Sequence, residues 1–134
     1  MGSPCSKNFY TEAGNLTSPN YPNSYNPREE CDYHLKIPSA YSIRLVVEFF
    51  ETENLKDVLA IGPGPTATPD PDPSVNDTAV VELSGKLVNP NSENSTNLTY
   101  IFDTNQVWLH WFSNRTKFEK GFLISWDSSE FFYL

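Results

Sequence analysis

Between Ser18 and Pro38 the chain reads SPNYPNSYNPREECDYHLKIP, and few folds can hold such a stretch. Its first half alternates prolines with tyrosines, asparagines and serines, so neither a helix nor a long ladder continues through it. It has to be an ordered loop or an edge. Its second half changes period: Cys31, Tyr33, Leu35 and Ile37 fall at every second position, with Asp32, His34 and Lys36 between them. That alternation predicts a half-buried strand which Cys31 opens with its sulfur facing inward.

The chain has one other cysteine, Cys5. A disulfide formed within the chain is therefore Cys5 to Cys31, worth roughly 3 kcal/mol in the chain-entropy model; the alternative is two buried free thiols. Asn-x-Ser/Thr sites at Asn15, Asn76, Asn94, Asn97 and Asn114, none with proline in the middle, argue for an oxidising compartment and for N-glycans. Met1 to Pro4 has no basic and apolar leader and reads as a cloning remnant ahead of a mature start. The longest apolar runs are too short for a transmembrane helix, so a membrane is met only through a parent protein.

At 134 residues the chain suits one domain, taken as 5–134, with a core of ordinary size. No window repeats apolar residues at helical spacing, whereas period-two segments recur between turn signals. The expected strands are 15–17 as an edge, 31–37, 43–50, 57–61, 80–83, 98–102, 107–112 and 121–126. In 43–50 the alternation puts Ile43, Leu45, Val47 and Phe49 on one face and Arg44, Val46, Glu48 and Phe50 on the other, and because the second face is only partly polar the strand is expected to be covered on both sides near its end. Asp103-Thr104-Asn105 reads as a hairpin turn that would pair 98–102 with 107–112 antiparallel. In the latter, Val107, Leu109 and Trp111 share a face opposite Trp108, His110 and Phe112. Residues 62–77 hold five prolines and little to bury, and are expected to form an extended, mobile surface loop. The apolar tail 131–134 is expected to pair as an edge or to pack on whatever followed it. Many short strands between turns mean an all-β, antiparallel β-sandwich, here a jelly roll of about eight to ten strands.

With the strands placed, the chain resembles a CUB domain, an extracellular β-sandwich module. The resemblance is carried by Cys5, Gly14, the run from Ser18 to Pro22, Tyr25, Cys31 with Tyr33 and Leu35, Pro38, residues 45–50 and 57–61, Ser84-Gly85, residues 107–114, and Gly121-Phe122 with Ile124 and Trp126. It implies a secreted or cell-surface, non-enzymatic protein-interaction module. CUB domains usually carry a second disulfide, from the turn after the acidic residues to the position before the glycine matched by Gly85. Here the turn at 54–56 has no cysteine and position 84 is Ser84, so both partners are missing together.

Many CUB domains bind calcium through a glutamate and two aspartates, with a tyrosine nearby. The resemblance places Glu53 as the glutamate, Asp57 as the first aspartate, Asn114 in place of the second, and Tyr21 as the tyrosine. An amide oxygen can replace a carboxylate oxygen but removes a charge, so affinity should fall to or below the roughly 0.1–1 mM typical of extracellular modules. Asn114 also opens a sequon, and a glycan there would crowd the same place. The alternative for Glu53 and Asp57 is a solvated acidic turn held by backbone N–H groups. Where the family binds calcium, the ordered loops often receive a lysine from a partner, which makes Glu51, Glu53 and Asp57, with Tyr21 and Arg115, the partner-facing residues.

The net charge of -8 disfavours nucleic acid and anionic membranes and favours a partner with a basic patch. For an enzyme there is little: His34 and His110 each fall mid-strand, and no spacing suggests a nucleophile triad or a metal cluster. A second reading from a different class is a carbohydrate-binding sandwich in which exposed Tyr21, Tyr25 and Trp108 stack on sugar rings.

Overall fold

Alternating apolar residues, turn by turn, fold into ten strands in the computed structural model, which describes residues 5–65, 81–93, 95–114 and 119–128. They are β1 (Lys7–Phe9), β2 (Ala13–Thr17), β3 (Glu30–Lys36), β4 (Ile43–Glu51), β5 (Val58–Pro63), β6 (Val81–Leu83), β7 (Lys86–Val88), β8 (Leu98–Phe102), β9 (Gln106–Phe112) and β10 (Gly121–Ser128). The first sheet has the order β1-β3-β9-β5-β6. The second has the order β2-β10-β4-β7, with β8 also pairing β4. Only the short β1 lies parallel to its neighbour, β3; every other ladder is antiparallel. Among the described residues there is no helix. The expected all-β sandwich is what forms.

The core lies between the sheets. Cys31, Tyr33, Leu35 and Ile37 point into it as their period demands, and meet Val107, Leu109 and Trp111 from β9. Ile43, Leu45, Val47 and Phe50 from β4, with Phe122, Ile124 and Trp126 from β10, close it from the other side. Rings meet edge to face where Trp111 touches Tyr25 and Phe122, with centroids 4.9 and 5.2 Å apart. This geometry suits the ring quadrupoles. Cys5 and Cys31 are bridged, with Cα atoms 5.4 Å apart, so the disulfide ties the segment before β1 to the start of β3.

Four expectations need correction. First, β8 and β9 do not form a hairpin: all of β9 ladders with β3, and β8 pairs with β4 in the opposite sheet. The Asp103-Thr104-Asn105 turn carries the chain across the sandwich, fastened by the Ile37 N–H donating to the Asn105 carbonyl at 2.9 Å. Turn residues mark a reversal without saying which sheet receives the next strand. Second, the end of β4 is covered on both sides as expected, Phe49 and Phe50 both being buried, but the two phenylalanines exchange faces. A register shift where β4 pairs with β10 sets Leu123 against Phe49 but Ile124 against Val47, leaving Glu48 bulged. One extra residue flips the alternation beyond it, so Phe50 joins the core while Phe49, also buried, packs on the other side against Tyr21.

Third, β5 begins after Asp57 and runs through Gly62 and Pro63, both expected in the loop. Gly62 pairs with Trp108, and a Cβ there would lie inside the indole, so the bare glycine is what lets Trp108 lie flat on the sheet. Fourth, the three-residue strands β1 and β7, too short to show a period, were not expected. Residues 66–77 of the proline-rich segment, the tail 131–134 and Met1 to Pro4 lie outside the described residues.

Candidate functional site

Three loops converge at one end of the sandwich on the Asp57 carboxyl, which is wholly buried. Its Oδ2 accepts a hydrogen bond from the Tyr25 hydroxyl at 2.5 Å, and its Oδ1 accepts one from the Asn114 backbone N–H at 2.8 Å. The Tyr25 oxygen in turn accepts the Glu53 N–H at 3.2 Å, and the Asp57 N–H donates to the Glu53 carbonyl at 3.1 Å. Thr52 donates its hydroxyl to the Asp57 carbonyl and accepts from the Gly85 N–H, both at 2.9 Å. One side chain thus links the proline-tyrosine loop, the acidic turn and the segment leaving β9. Burial first, and then the hydrogen bond to Asp57, push the Tyr25 hydroxyl well above the ordinary tyrosine value. It remains a donor across the physiological range.

The proline-tyrosine loop is fastened at its root as well. Ser18 and Phe122 exchange hydrogen bonds, the Ser18 N–H donating to the Phe122 carbonyl and the Phe122 N–H to the Ser18 hydroxyl. Gly121 has φ +94, and a Cβ there would strike the Ser18 side chain. Farther along, the Ser113 hydroxyl bridges the loop to the end of β9, accepting from the Glu29 N–H and donating to the Asn26 carbonyl.

Where the resemblance puts a second disulfide, a polar contact stands instead. The Ser84 hydroxyl accepts the Leu55 N–H at 3.1 Å and donates to the Asn54 side-chain oxygen at 3.3 Å. The acidic turn is thereby tied to β6 and β7 by hydrogen bonds, with Leu55 held at φ +66 and almost fully exposed.

Of the partner-facing candidates, Glu53 and Asp57 come together with Asn114. Tyr21 does not join them: its ring packs on Phe49, with centroids 5.6 Å apart, and its hydroxyl lies in the field of Glu48. The tyrosine at the carboxylate is Tyr25 and not Tyr21, the one that the resemblance placed there. Glu51 turns toward β7, accepting from the Asn89 side-chain amide at 3.0 Å at the edge of a shallow cavity of about 420 Å³. Arg115, Asn76 and Asn94 lie outside the described residues. Asn15 and Asn97 are exposed and Asn114 is half-buried.

Sugar stacking on Tyr25 or Trp108 is not available, because both rings are buried, Tyr25 against Trp111 and Trp108 against Gly62. The two histidines are tied to neighbours on the outer face of the first sheet: His34 Nε2 to Gln106 Oε1 at 3.0 Å, and His110 Nδ1 to Asp32 Oδ1 at 2.7 Å.

Calcium asks for six to eight hard oxygens. Glu53, Asp57 and the Asn114 amide are donors of that kind, and each Asp57 oxygen keeps a lone pair after the hydrogen bond it accepts. Among the described residues no three acidic, histidine or cysteine side chains converge as a metal-holding group.

The model of the CUB domain family matches residues 5–126. Fibropellin-3 of Strongylocentrotus purpuratus is 31% identical over 127 residues, which is 95% of this chain and 20% of that protein. This chain therefore spans about a fifth of that relative's length. Among solved structures, the full extracellular region of zebrafish Gpr126/Adgrg6 superposes with a TM-score of 0.71 at 22% identity, covering 92% of this chain and 14% of that one. The MASP-1 CUB2 domain bound to Ca2+ superposes with a TM-score of 0.67 at 20% identity, covering 92% of this chain and all of that one. The disulfide, the strand order and the match over nearly the whole chain agree: this chain belongs to the CUB domain family.

Proposed function

We propose that this extracellular CUB domain is a non-enzymatic protein-interaction module whose contact surface is the loop end gathered around Asp57. The observation that carries the reading is the buried carboxyl itself. It joins three loops through hydrogen bonds from Tyr25 and Asn114, so the surface they form is ordered before a partner arrives. A preordered surface loses less entropy on binding. Glu53 is the charged residue of the acidic turn there, and the net charge of -8 suits a partner with a basic patch.

Calcium, when bound, supplies a charge-neutralising cross-link between the carboxylates. Glu53, Asp57 and the side-chain oxygen of Asn114 would hold it, and the chain's own hydrogen bonds already make the connections that it reinforces. Its contribution is expected to be modest.

Two measurements separate these statements. Thermal unfolding in about 5 mM calcium against chelator, well above the affinity range of extracellular modules, should show a small upward shift that Asp57→Ala abolishes. An unchanged melting temperature would remove calcium from the reading and leave the contact surface intact. Binding to immobilised polylysine should weaken with salt and with Glu53→Gln. Binding that ignores both would place the contact elsewhere.

A further inference from the structure

Sheets that end in open strands carry a hazard, because the free backbone groups of an edge can pair with another chain, and proteins usually blunt such edges with charge or proline. Among the described residues, five strands have a partner on one side only: β1, β2, β6, β7 and β8. Three are short and carry a charge, Lys7 in β1, Glu82 in β6 and Lys86 in β7. The other two, AGNLT in β2 and LTYIF in β8, hold no charged residue and no proline. In β8, Ile101 is 55% exposed. These two lie on opposite borders of the second sheet, β2 outside β10 and β8 outside β4.

They are also the two edge strands that carry sequons. Asn15-Leu16-Thr17 lies within β2, and Asn97-Leu98-Thr99 enters β8. Both asparagines are exposed. Asn15 stands on the rim of a groove of about 480 Å³ that opens between β2 and β1, with Lys7, Phe9 and Asn20 along its walls. We infer that N-linked glycans on Asn15 and Asn97 cap the two uncharged edges of the second sheet, taking the place of the charges that guard the other three. The chemistry is that of any sequon. The side-chain amide nitrogen bonds to C1 of a lipid-diphosphate-linked oligosaccharide, loses a proton, and the lipid diphosphate leaves. A bulky hydrophilic chain at each site obstructs an incoming strand. The inference does not depend on the function proposed for the loop end around Asp57.

The test uses the domain secreted from eukaryotic cells. Amidase release of N-glycans followed by peptide mass spectrometry should find Asn15 and Asn97 converted to aspartate. Light scattering should then show a monomer before enzymatic release under native conditions and association afterwards, a comparison on already folded protein. Thr17→Ala and Thr99→Ala, which destroy the two sequons and leave both asparagines and all other sites in place, should reproduce that association. Unmodified Asn15 or Asn97 would overturn the inference. So would Thr17→Ala, Thr99→Ala protein that stays monomeric, whatever enzymatic release does, because release leaves a charged aspartate at each site whereas the threonine variants leave a bare asparagine.

Discussion

Glu29 sits where the proline-tyrosine loop meets β3, and burial pushes its carboxyl above the ordinary glutamate value despite hydrogen bonds from Trp111 and Asn26. Between the ordinary value near 4.3 and the raised folded one, the folded state holds more protons than the unfolded chain, so stability falls as pH rises through that window. Glu29→Gln keeps an acceptor for the Trp111 N–H, which approaches at 3.3 Å, and removes the titration. Its stability relative to wild type is expected to climb through the same window and then level off, as urea titrations at stepped pH would record. Parallel pH profiles for the two proteins would mean that Glu29 titrates as an exposed residue. At this scale the sequence was partly legible: Glu53 and Asp57 were recognisable from the family pattern. The family pattern pointed to Tyr21 rather than Tyr25; both lie in the same proline-rich loop, and packing against Trp111 aims Tyr25 at the carboxylate.

Among the elements, β5 and β9 depend on a missing side chain. Trp108 lies across Gly62, so Gly62→Val forces the indole off the sheet at a cost of about 1–3 kcal/mol, the usual range for overpacking. Tryptophan emission shifted to longer wavelength together with a lower urea midpoint would record it; an unchanged spectrum would show that the ring has room to move. Strand positions were readable wherever the alternation was long, as in β3, β4 and β9. Facing was readable only up to the bulge at Glu48, since a period of two has no means of announcing an inserted residue. Partner choice was the least readable. The turn at 103–105 looks like a hairpin to local chemistry, and only the competition for long partners sends β9 to β3 and β8 to β4.

For the molecule as a whole, covalent and polar fastenings serve different parts of the sandwich. The Cys5–Cys31 bridge holds β1 beside β3, and its reduction is expected to lower stability by roughly 3 kcal/mol, read as a drop in the urea midpoint. A midpoint unmoved by reduction would mean that β1 docks without it. At the loop end, hydrogen bonds stand where the resemblance put a second disulfide: Ser84 holds the acidic turn, and Asp57 holds the three loops. Asp57→Asn keeps the volume but removes the charge and one acceptor oxygen, and is expected to cost about 2 kcal/mol. Amide hydrogen exchange on wild type and Asp57→Asn is the direct measurement. If this carboxyl orders the contact surface, protection falls together in 18–28, 52–57 and at Asn114, while β3, β4, β9 and β10 keep theirs. Protection lost evenly across both sheets, or lost in one loop alone, would contradict it.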